Sequence, residues 1–237
     1  MAPSVLLVED DSIMRRFVSM ALGELPIQLV VVTTVEDALA ILSQRSVALI
    51  LTDLMLPGRS GMDLIDALAA EPRLRGDARL AVFSAGLDVA TRRILERPDV
   101  WRLLSKPCSV AELEDCVTAA LAGEPSPESG VTLKVHSEGD QDVIAEHFDG
   151  NAALYHAFRA SCLEQFQLDL VAGRRAMAAT DAPGLRRLAH NLKSILRTLG
   201  HRDASDCAAA LENACEAHDW NIARPRWEAL ARQLESL

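Results

Sequence analysis

The sequence lacks several features that would place it in a common class of protein. It has no run of about 18 apolar residues, so it predicts no membrane-spanning helix, and no signal peptide precedes its first apolar segment. Its five cysteines are odd in number and form no C-x-x-C pair, which favours reduced thiols. The net charge of -10 argues against a basic nucleic-acid-binding surface, and no Gly-rich phosphate loop is present. We therefore expect a cytoplasmic protein that does not bind nucleic acid, does not insert into membranes and cannot phosphorylate itself from ATP.

The chain is long enough for two modest domains. It has 237 residues, of which 49% are hydrophobic. A polar stretch rich in Pro, Gly and Ser at 123–130 is typical of a linker, and the alternating pattern at 131–139 fits either a strand or an extended tether. We predict a first domain at 1–122, a linker or tether at 123–139 and a helical domain at 140–237.

Four short apolar runs in the first domain are each followed by polar residues. The runs are 5–8, 48–51, 80–83 and 101–104, with amphipathic segments between them. Such runs are typical of strands that are buried on both faces of a parallel sheet, and the alternation with amphipathic segments predicts an α/β domain. The carboxyl ends of parallel strands share one edge of a sheet, where ligands bind. The polar residues expected at that edge are Glu9, Asp10, Asp53, Ser84 and Lys106.

These side chains favour phosphoryl chemistry. Clustered carboxylates need a cation, and hard oxygen ligands favour Mg²⁺. We expect Asp10 and Asp53 to bind the metal directly and Glu9 to hold a coordinated water. One of the carboxylates can then attack a phosphoryl group as a nucleophile, while Lys106 and Ser84 stabilise the phosphoryl oxygens.

The order of these residues resembles that of response-regulator receiver domains over the whole of 1–122. The resemblance implies a doubly wound, flavodoxin-like sheet of five parallel strands, with Asp53 as the phosphorylated aspartate. It also implies that Met55 lends its backbone carbonyl to the metal. Further matches to the family are Pro57 and Gly61 in the turn after Asp53, and Pro107, usually cis, after Lys106.

One position departs from the receiver pattern. The family usually has a Tyr or Phe three residues before the lysine, and the ring moves inward on phosphorylation; here that residue is Leu103. Trp101 lies two residues earlier, on the same face of the strand. We expect phosphorylation to be retained, and the output surface either to work differently or hardly to change.

In the second domain, His190 lies in a strongly amphipathic segment. At about 100° per residue, the leucines and Ile195 fall on one side of a helix and His190 on the opposite, polar side. A solvated histidine on an ordinary amphipathic helix would give the same pattern. The alternative is a histidine that carries an anion, because four cations surround it: Arg186, Arg187, Lys193 and Arg197.

The segment resembles histidine-containing phosphotransfer (Hpt) domains, through His190, Leu192, Lys193, Leu199 and Gly200. The resemblance implies that a solvent-facing nitrogen of His190 carries the phosphoryl group and that Lys193, with Arg197, holds its oxygens. Ser194 replaces a family glycine, but serine is small enough for a partner aspartate to approach. Ile195 and Leu196 replace small residues on the apolar side, where we expect core.

The remaining pattern of the second domain is helical and predicts a four-helix bundle. Asp181 is expected to cap the helix of His190, and Gly200 to end it. Cys207, Ala208, Leu211 and Cys215 are expected on the inner stripe of the next helix. The helices are predicted near 141–147, 152–179, 182–199, 203–218 and 222–237.

Two phosphate-carrying sites on one chain predict an intermediate in a multistep phosphorelay. Phosphate would pass from a sensor histidine kinase to Asp53, then to His190, then to a downstream response regulator. One alternative is a receiver-gated binding module, in which phosphorylation of Asp53 controls docking of the helical bundle. Another is that the two domains serve separate partners. The sequence does not specify the oligomeric state.

Overall fold

A computed structural model describes residues 2–85, 87–124 and 140–237. The chain divides into two compact units, Met1–His136 and Ser137–Leu237. The predicted linker or tether at 123–139 lies almost entirely outside the described residues. No helix in the described part of the chain is long and apolar enough to cross a membrane.

A five-stranded parallel sheet forms the centre of the first unit, in the order β2-β1-β3-β4-β5. Each strand pairs with its neighbours in parallel. The strands β1 and β3 are almost completely buried, as continuous apolar runs predict. The strands are β1 Ser4–Val8, β2 Gln28–Val32, β3 Leu49–Thr52, β4 Arg79–Ser84 and β5 Arg102–Ser105.

Among the described residues of the first unit, six helices lie between the strands or after the last strand. Most begin at a side chain that accepts a hydrogen bond from a backbone N–H of the first turn, which satisfies one of the free donors there. Ser60 and Ser109 each form a complete capping box, with Asp63 and Glu112 respectively. The helices are α1 Ser12–Ala21, α2 Val35–Gln44, α3 Gly61–Ala70, α4 Pro72–Arg75, α5 Val89–Leu95 and α6 Val110–Ala122.

Residues 140–237, the described part of the second unit, contain five helices. The helices α8 to α11 pack as neighbours in sequence, and α11 also packs against α8, which closes a four-helix bundle. Asp181 caps α9, as predicted, and its side chain accepts a hydrogen bond from the backbone N–H of Gly184. The helices are α7 Asp140–His147, α8 Ala152–Ala179, α9 Ala182–Thr198, α10 Arg202–Glu216 and α11 Trp220–Glu235.

Aromatic side chains fill the end of the bundle at which α7 lies. Phe148, which directly follows α7, is fully buried. Its ring lies 5.4 Å from that of Tyr155 and 5.7 Å from that of Phe158. Each large buried ring contributes about 1.5–3 kcal/mol by leaving water. These contacts fix α7 to the bundle.

The two units confirm the predicted fold class, an α/β sheet domain followed by an all-α bundle. The inner stripe predicted for α10 is buried at Cys207, Ala208, Leu211 and Cys215. Ile195 and Leu196 of α9 are also buried, as expected of core residues.

Candidate functional site

The register of the sheet brings the predicted phosphoryl-binding residues of the first unit to one edge. The backbone N–H of Asp53 donates to the carbonyl of Val8, 3.0 Å away, so Asp53 lies beside the end of β1. The backbone N–H of Lys106 donates to the carbonyl of Ser84, also at 3.0 Å, at the ends of β4 and β5. The acidic pair of Glu9 and Asp10 directly follows Val8.

Lys106 joins two of the carboxylates. Its Nζ donates to Oε2 of Glu9 at 2.5 Å and to Oδ2 of Asp53 at 2.7 Å. The side chains of Glu9 and Asp53 are fully buried, and that of Lys106 is 3% exposed. A buried charge is stable only when it is paired, so the three groups form one interdependent cluster.

The cluster shifts the pKa values of its members. The pKa of Glu9 is raised to about 8, mainly by burial, which Lys106 opposes and the neighbouring charge of Asp53 reinforces. Burial by itself would lower the pKa of Lys106, but the charges of Asp53 and Glu9 raise it above its usual value. Lys106 is therefore held as a cation against the phosphate-accepting edge.

Backbone groups hold the second oxygen of Asp53. Its Oδ1 accepts hydrogen bonds from the backbone N–H of Leu54 at 2.5 Å and of Met55 at 3.3 Å. Gly61 packs directly on the Asp53 carbonyl, and a Cβ atom at that position would overlap it. The peptide between Lys106 and Pro107 is cis. The Asp53 carboxylate is therefore oriented by its own turn as well as by Lys106.

The donor set at this edge fits Mg²⁺. Asp10 and Asp53 offer carboxylates and Met55 offers a carbonyl, all hard oxygen donors. Among the described residues, no three His, Cys, Asp or Glu side chains converge as a metal cluster. Two carboxylates and one carbonyl suit an ion that keeps several of its waters, and Glu9, engaged by Lys106, is suited to a water-mediated role.

Leu103 occupies the position at which receiver domains usually have Tyr or Phe, and arginine side chains contact its neighbours on and before β5. Leu103 is partly buried and packs against the sheet core. Arg92 of α5 donates from Nε to the carbonyl of Leu87 at 3.0 Å and from Nη2 to Oγ of Ser105 at 2.7 Å. The guanidinium of Arg79 lies 4.9 Å from the ring centre of Trp101. Arg92 thus connects α5 to Ser105 of β5, on the same face of the strand as Leu103.

His190 has a carboxylate partner that was not predicted. Its Nδ1 lies 2.7 Å from Oε1 of Glu212 on α10. The other oxygen of Glu212, Oε2, accepts from Nζ of Lys193 at 2.5 Å. Burial by itself would raise the pKa of Glu212, but the hydrogen bonds and charges of His190 and Lys193 lower it to about 2. Glu212 is therefore a carboxylate at neutral pH, and because a carboxylate only accepts, Nδ1 of His190 must be the donor in this contact.

The prediction that a nitrogen of His190 faces solvent is wrong for this structure. The side chain is only 3% exposed, and its Nε2 atom is buried without a hydrogen-bond partner in the described part of the chain. The error arises because the helical wheel placed His190 among cations but could not show Glu212 on the neighbouring helix. Of those cations, Lys193 contacts Glu212, while Arg197 is exposed.

Small polar residues line the interface between α9 and α10 beside His190. Ser194, which replaces the family glycine, is 3% exposed, and Thr198 donates to its carbonyl at 2.9 Å. Ser205 of α10 donates from Oγ to the carbonyl of Lys193 at 2.8 Å. The Thr198 bond lies within α9, whereas the Ser205 bond joins the two helices and holds α10 against the turn of α9 that follows His190.

One sequence signal could have revealed Glu212. On the predicted inner stripe of α10, Glu212 lies four residues after Ala208 and three residues before Cys215. A carboxylate in an apolar stripe needs a buried partner. The candidate partners on the preceding helix were His190 and Lys193, which the sequence analysis had already identified.

Comparisons with known proteins match both units of the chain. The model of the family described as "Response regulator receiver domain" matches residues 5–118, and the model of the family described as "Hpt domain" matches residues 156–237. The two-component response regulator ORR12 of Oryza sativa subsp. japonica is 35% identical over 115 residues, covering 47% of this chain and 93% of that relative. The photosynthetic apparatus regulatory protein RegA of Rhodovulum sulfidophilum is 31% identical over 131 residues, which cover 54% of this chain and 68% of that relative.

Solved structures of receiver domains are also similar to the chain. The receiver domain of the Francisella response regulator 1452 is 22% identical, with a TM-score of 0.47, and the match covers 51% of this chain and 98% of that one. The two family matches and the response-regulator relatives, more than 30% identical, identify the chain. It belongs to the two-component response-regulator family, joins a receiver domain to an Hpt domain, and is a phosphorelay component of two-component signalling.

Proposed function

We propose that this protein is an intermediate in a multistep His-Asp phosphorelay. A sensor histidine kinase phosphorylates Asp53, the phosphoryl group passes to His190, and His190 delivers it to an aspartate of a downstream response regulator. The receiver domain comprises 1–122, the tether 123–139 and the Hpt domain 140–237.

The first transfer forms an acyl phosphate on Asp53. A carboxylate oxygen of Asp53 attacks the phosphorus, the donor's P–N bond breaks, and the donor imidazole leaves with the electron pair. Lys106 is already within hydrogen-bonding distance of the carboxylate and compensates the charge on the phosphoryl oxygens, and the hydroxyl of Ser84 donates to them. Mg²⁺, when bound by Asp10, Asp53 and the Met55 carbonyl with Glu9 holding a coordinated water, would supply further charge neutralisation.

The second transfer moves the phosphoryl group to His190. Nε2 is buried in this structure, so the aspartyl phosphate must first gain access to it. The Nε2 lone pair then attacks the phosphorus, the P–O bond to the aspartyl oxygen breaks, and the carboxylate is restored. The Nδ1 proton remains shared with Glu212, which stabilises the positive charge that develops on the ring. Lys193, bound to the other oxygen of Glu212, holds that carboxylate in place.

The observation that carries this proposal is the contact between His190 Nδ1 and Glu212. A carboxylate can only accept a hydrogen bond, so the contact selects the tautomer in which Nε2 is unprotonated and nucleophilic. The contact thus leaves Nε2 of His190 without a protein partner among the described residues and able to accept the phosphoryl group that a receiver site on the same chain can supply.

Acetyl phosphate, a small acyl phosphate, tests the relay without a kinase. Wild type, Asp53→Asn and His190→Gln are labelled with radioactive acetyl phosphate in the presence of Mg²⁺. Aspartyl phosphate is lost in base and phosphohistidine in acid, so the two products can be separated. His156→Gln, which changes an exposed histidine on α8, is the matched control.

We expect base-stable label on His190 of the wild type and of His156→Gln, and none in Asp53→Asn or His190→Gln. The label should form at a rate independent of protein concentration if transfer occurs within one chain. Base-stable label that persists in Asp53→Asn would show that His190 does not receive its phosphate from Asp53. Label confined to Asp53 in the wild type would favour the receiver-gated binding module or two domains with separate partners.

A further inference from the structure

One residue of α1 holds the whole turn that carries the acidic pair. Nη1 of Arg15 donates to the carbonyl oxygen of Glu9 at 3.1 Å and to that of Asp10 at 2.5 Å. The backbone N–H of Arg15 donates to the carbonyl of Asp11 at 3.0 Å. Three successive carbonyl oxygens therefore accept hydrogen bonds from Arg15.

The two side-chain contacts fix the backbone on both sides of Asp10. The Glu9 carbonyl belongs to the peptide plane before Asp10, and the Asp10 carbonyl belongs to the plane after it. Because peptide units are planar, the orientation of these two planes determines φ and ψ of Asp10. Those angles set the direction of the Cα–Cβ bond, and hence where the Asp10 carboxylate can reach.

Other contacts hold the ends of the same turn. The backbone N–H of Glu9 donates to the carbonyl of Val32 at 3.0 Å, and the Asp11 carboxylate caps α1 by accepting from the backbone N–H of Met14 at 2.7 Å. These contacts explain how the turn folds. The contacts of Arg15 lie between them, at the residue that is expected to bind the metal.

We propose that Arg15 is a positioning residue for the magnesium site, acting by aiming the Asp10 carboxylate. The inference rests on the proposed function of the receiver domain. Mg²⁺ binds through few protein ligands and requires nearly ideal octahedral geometry, so a small rotation of Asp10 weakens binding. Mutation of a residue that orients a metal ligand typically lowers metal affinity by about 10- to 100-fold.

The positive charge of Arg15 has the opposite effect on the metal. A guanidinium near the site repels a divalent cation, so removal of the charge alone would strengthen Mg²⁺ binding. The direction of the change in Arg15→Gln therefore distinguishes positioning from simple electrostatics. Arg15→Lys keeps the charge and changes only the geometry of the donors.

Isothermal titration of the full chain with MgCl₂ measures the effect. We expect Arg15→Gln to weaken Mg²⁺ binding about tenfold and Arg15→Lys to weaken it less. Arg16→Gln is the matched control, because Arg16 is the next residue and is exposed; it should bind as the wild type does. Asp10→Asn gives the background heat without the site.

A second measurement separates positioning from a general loss of structure. Labelling of Asp53 by acetyl phosphate is followed as a function of Mg²⁺ concentration. The half-saturating concentration should rise in Arg15→Gln by the same factor as the dissociation constant, with a smaller change in the rate at saturation. Thermal unfolding without Mg²⁺ checks the fold, and Arg15→Lys keeps the test valid if Arg15→Gln does not fold.

Unchanged or tighter Mg²⁺ binding in both Arg15 variants would overturn this inference and leave the receiver site intact. A wild-type protein that bound no Mg²⁺ above the Asp10→Asn background would instead overturn the magnesium site of the proposed function. A partner-docking role for Arg15 would leave both measurements unchanged, since neither contains a partner protein.

Discussion

Nδ1 of His190 lies 2.7 Å from Oε1 of Glu212, a residue 22 positions later on the neighbouring helix α10. The carboxylate keeps one ring nitrogen protonated and leaves the other as the nucleophile. It also links His190 to Lys193, which contacts the second carboxylate oxygen. The reactivity of His190 should therefore depend on Glu212 although Glu212 carries no phosphate itself.

Replacement of Glu212 should slow phosphorylation of His190. Without the carboxylate, the contact that selects the Nδ1–H tautomer is lost, and we expect Glu212→Ala to lower the rate about 10- to 100-fold. Glu212→Gln retains an oxygen acceptor and should lose less. Phosphoramidate, a small P–N donor, measures the rate without a partner, and ¹⁵N NMR of the imidazole measures the tautomer.

The matched control for this experiment is Glu216→Ala. Glu216 lies one turn further along α10, is exposed, and pairs with Arg186 at 3.2 Å. It should leave both the rate and the tautomer unchanged. Equal rates in Glu212→Ala and the wild type would exclude a positioning role for Glu212.

Lys193 should act on His190 through Glu212. Since Nζ of Lys193 contacts Oε2 of Glu212, the two residues are expected to be coupled by about 0.5–3 kcal/mol in a double-mutant cycle. Lys193→Met should therefore slow phosphorylation by phosphoramidate more in the wild type than in Glu212→Gln. Arg197→Gln, an exposed change on the same helix, is the control. An equal effect in both backgrounds would show that Lys193 contacts the phosphoryl group directly.

Much of the receiver fold could be predicted because its signals are local. Continuous apolar runs identified four strands to within about one residue at most ends, and β3 and β4 are indeed buried on both faces. The edge strand β2 was not identified from its own residues and followed only from the family resemblance. Its sequence did carry the signal, because 29–32 is a continuous apolar run like those of the other strands. The folded strand is nevertheless partly exposed along its length, as expected at the edge of a sheet.

The Hpt site shows what local signals cannot supply. The bounds of α8 and the cap of α9 at Asp181 were predicted because they depend on neighbouring residues in the chain. The partner of His190 depends on how α10 is rotated against α9, and small residues such as Ser194 and Ser205 set how closely the helices approach. This packing is a property of the pair of helices, so the sequence predicted a solvent-facing histidine and missed Glu212.

Glu212 should stabilise the bundle in a defined pH range. Its pKa is lowered from 4.5 to about 2 in the folded protein, so its contribution is complete above pH 4.5 and is lost as the pH falls towards 2. The shift corresponds to at most about 3 kcal/mol. Between about pH 6 and about pH 3, wild type should therefore lose more stability than Glu212→Gln.

Urea unfolding followed by tryptophan fluorescence measures this difference. The chain has three tryptophans, of which Trp220 and Trp227 lie on α11, so a Trp101→Phe background reports the bundle alone. Glu216→Gln, at an exposed position, should keep the acid sensitivity of the wild type. Identical acid sensitivity in Glu212→Gln would show that the carboxylate has no special partner in the folded state.

Gly61→Ala should impair the receiver site through the backbone of Asp53. A Cβ atom at Gly61 would overlap the Asp53 carbonyl, so the turn after Asp53 must move. Overpacking of this kind costs about 1–3 kcal/mol, and we expect both a lower unfolding temperature and slower labelling by acetyl phosphate. Gly23→Ala is the control, since its Cβ would meet only carbonyl oxygens 3.4 Å away. Wild-type labelling in a destabilised Gly61→Ala would mean that the Asp53 carboxylate keeps its orientation when its turn shifts, and that Lys106 is sufficient to hold it.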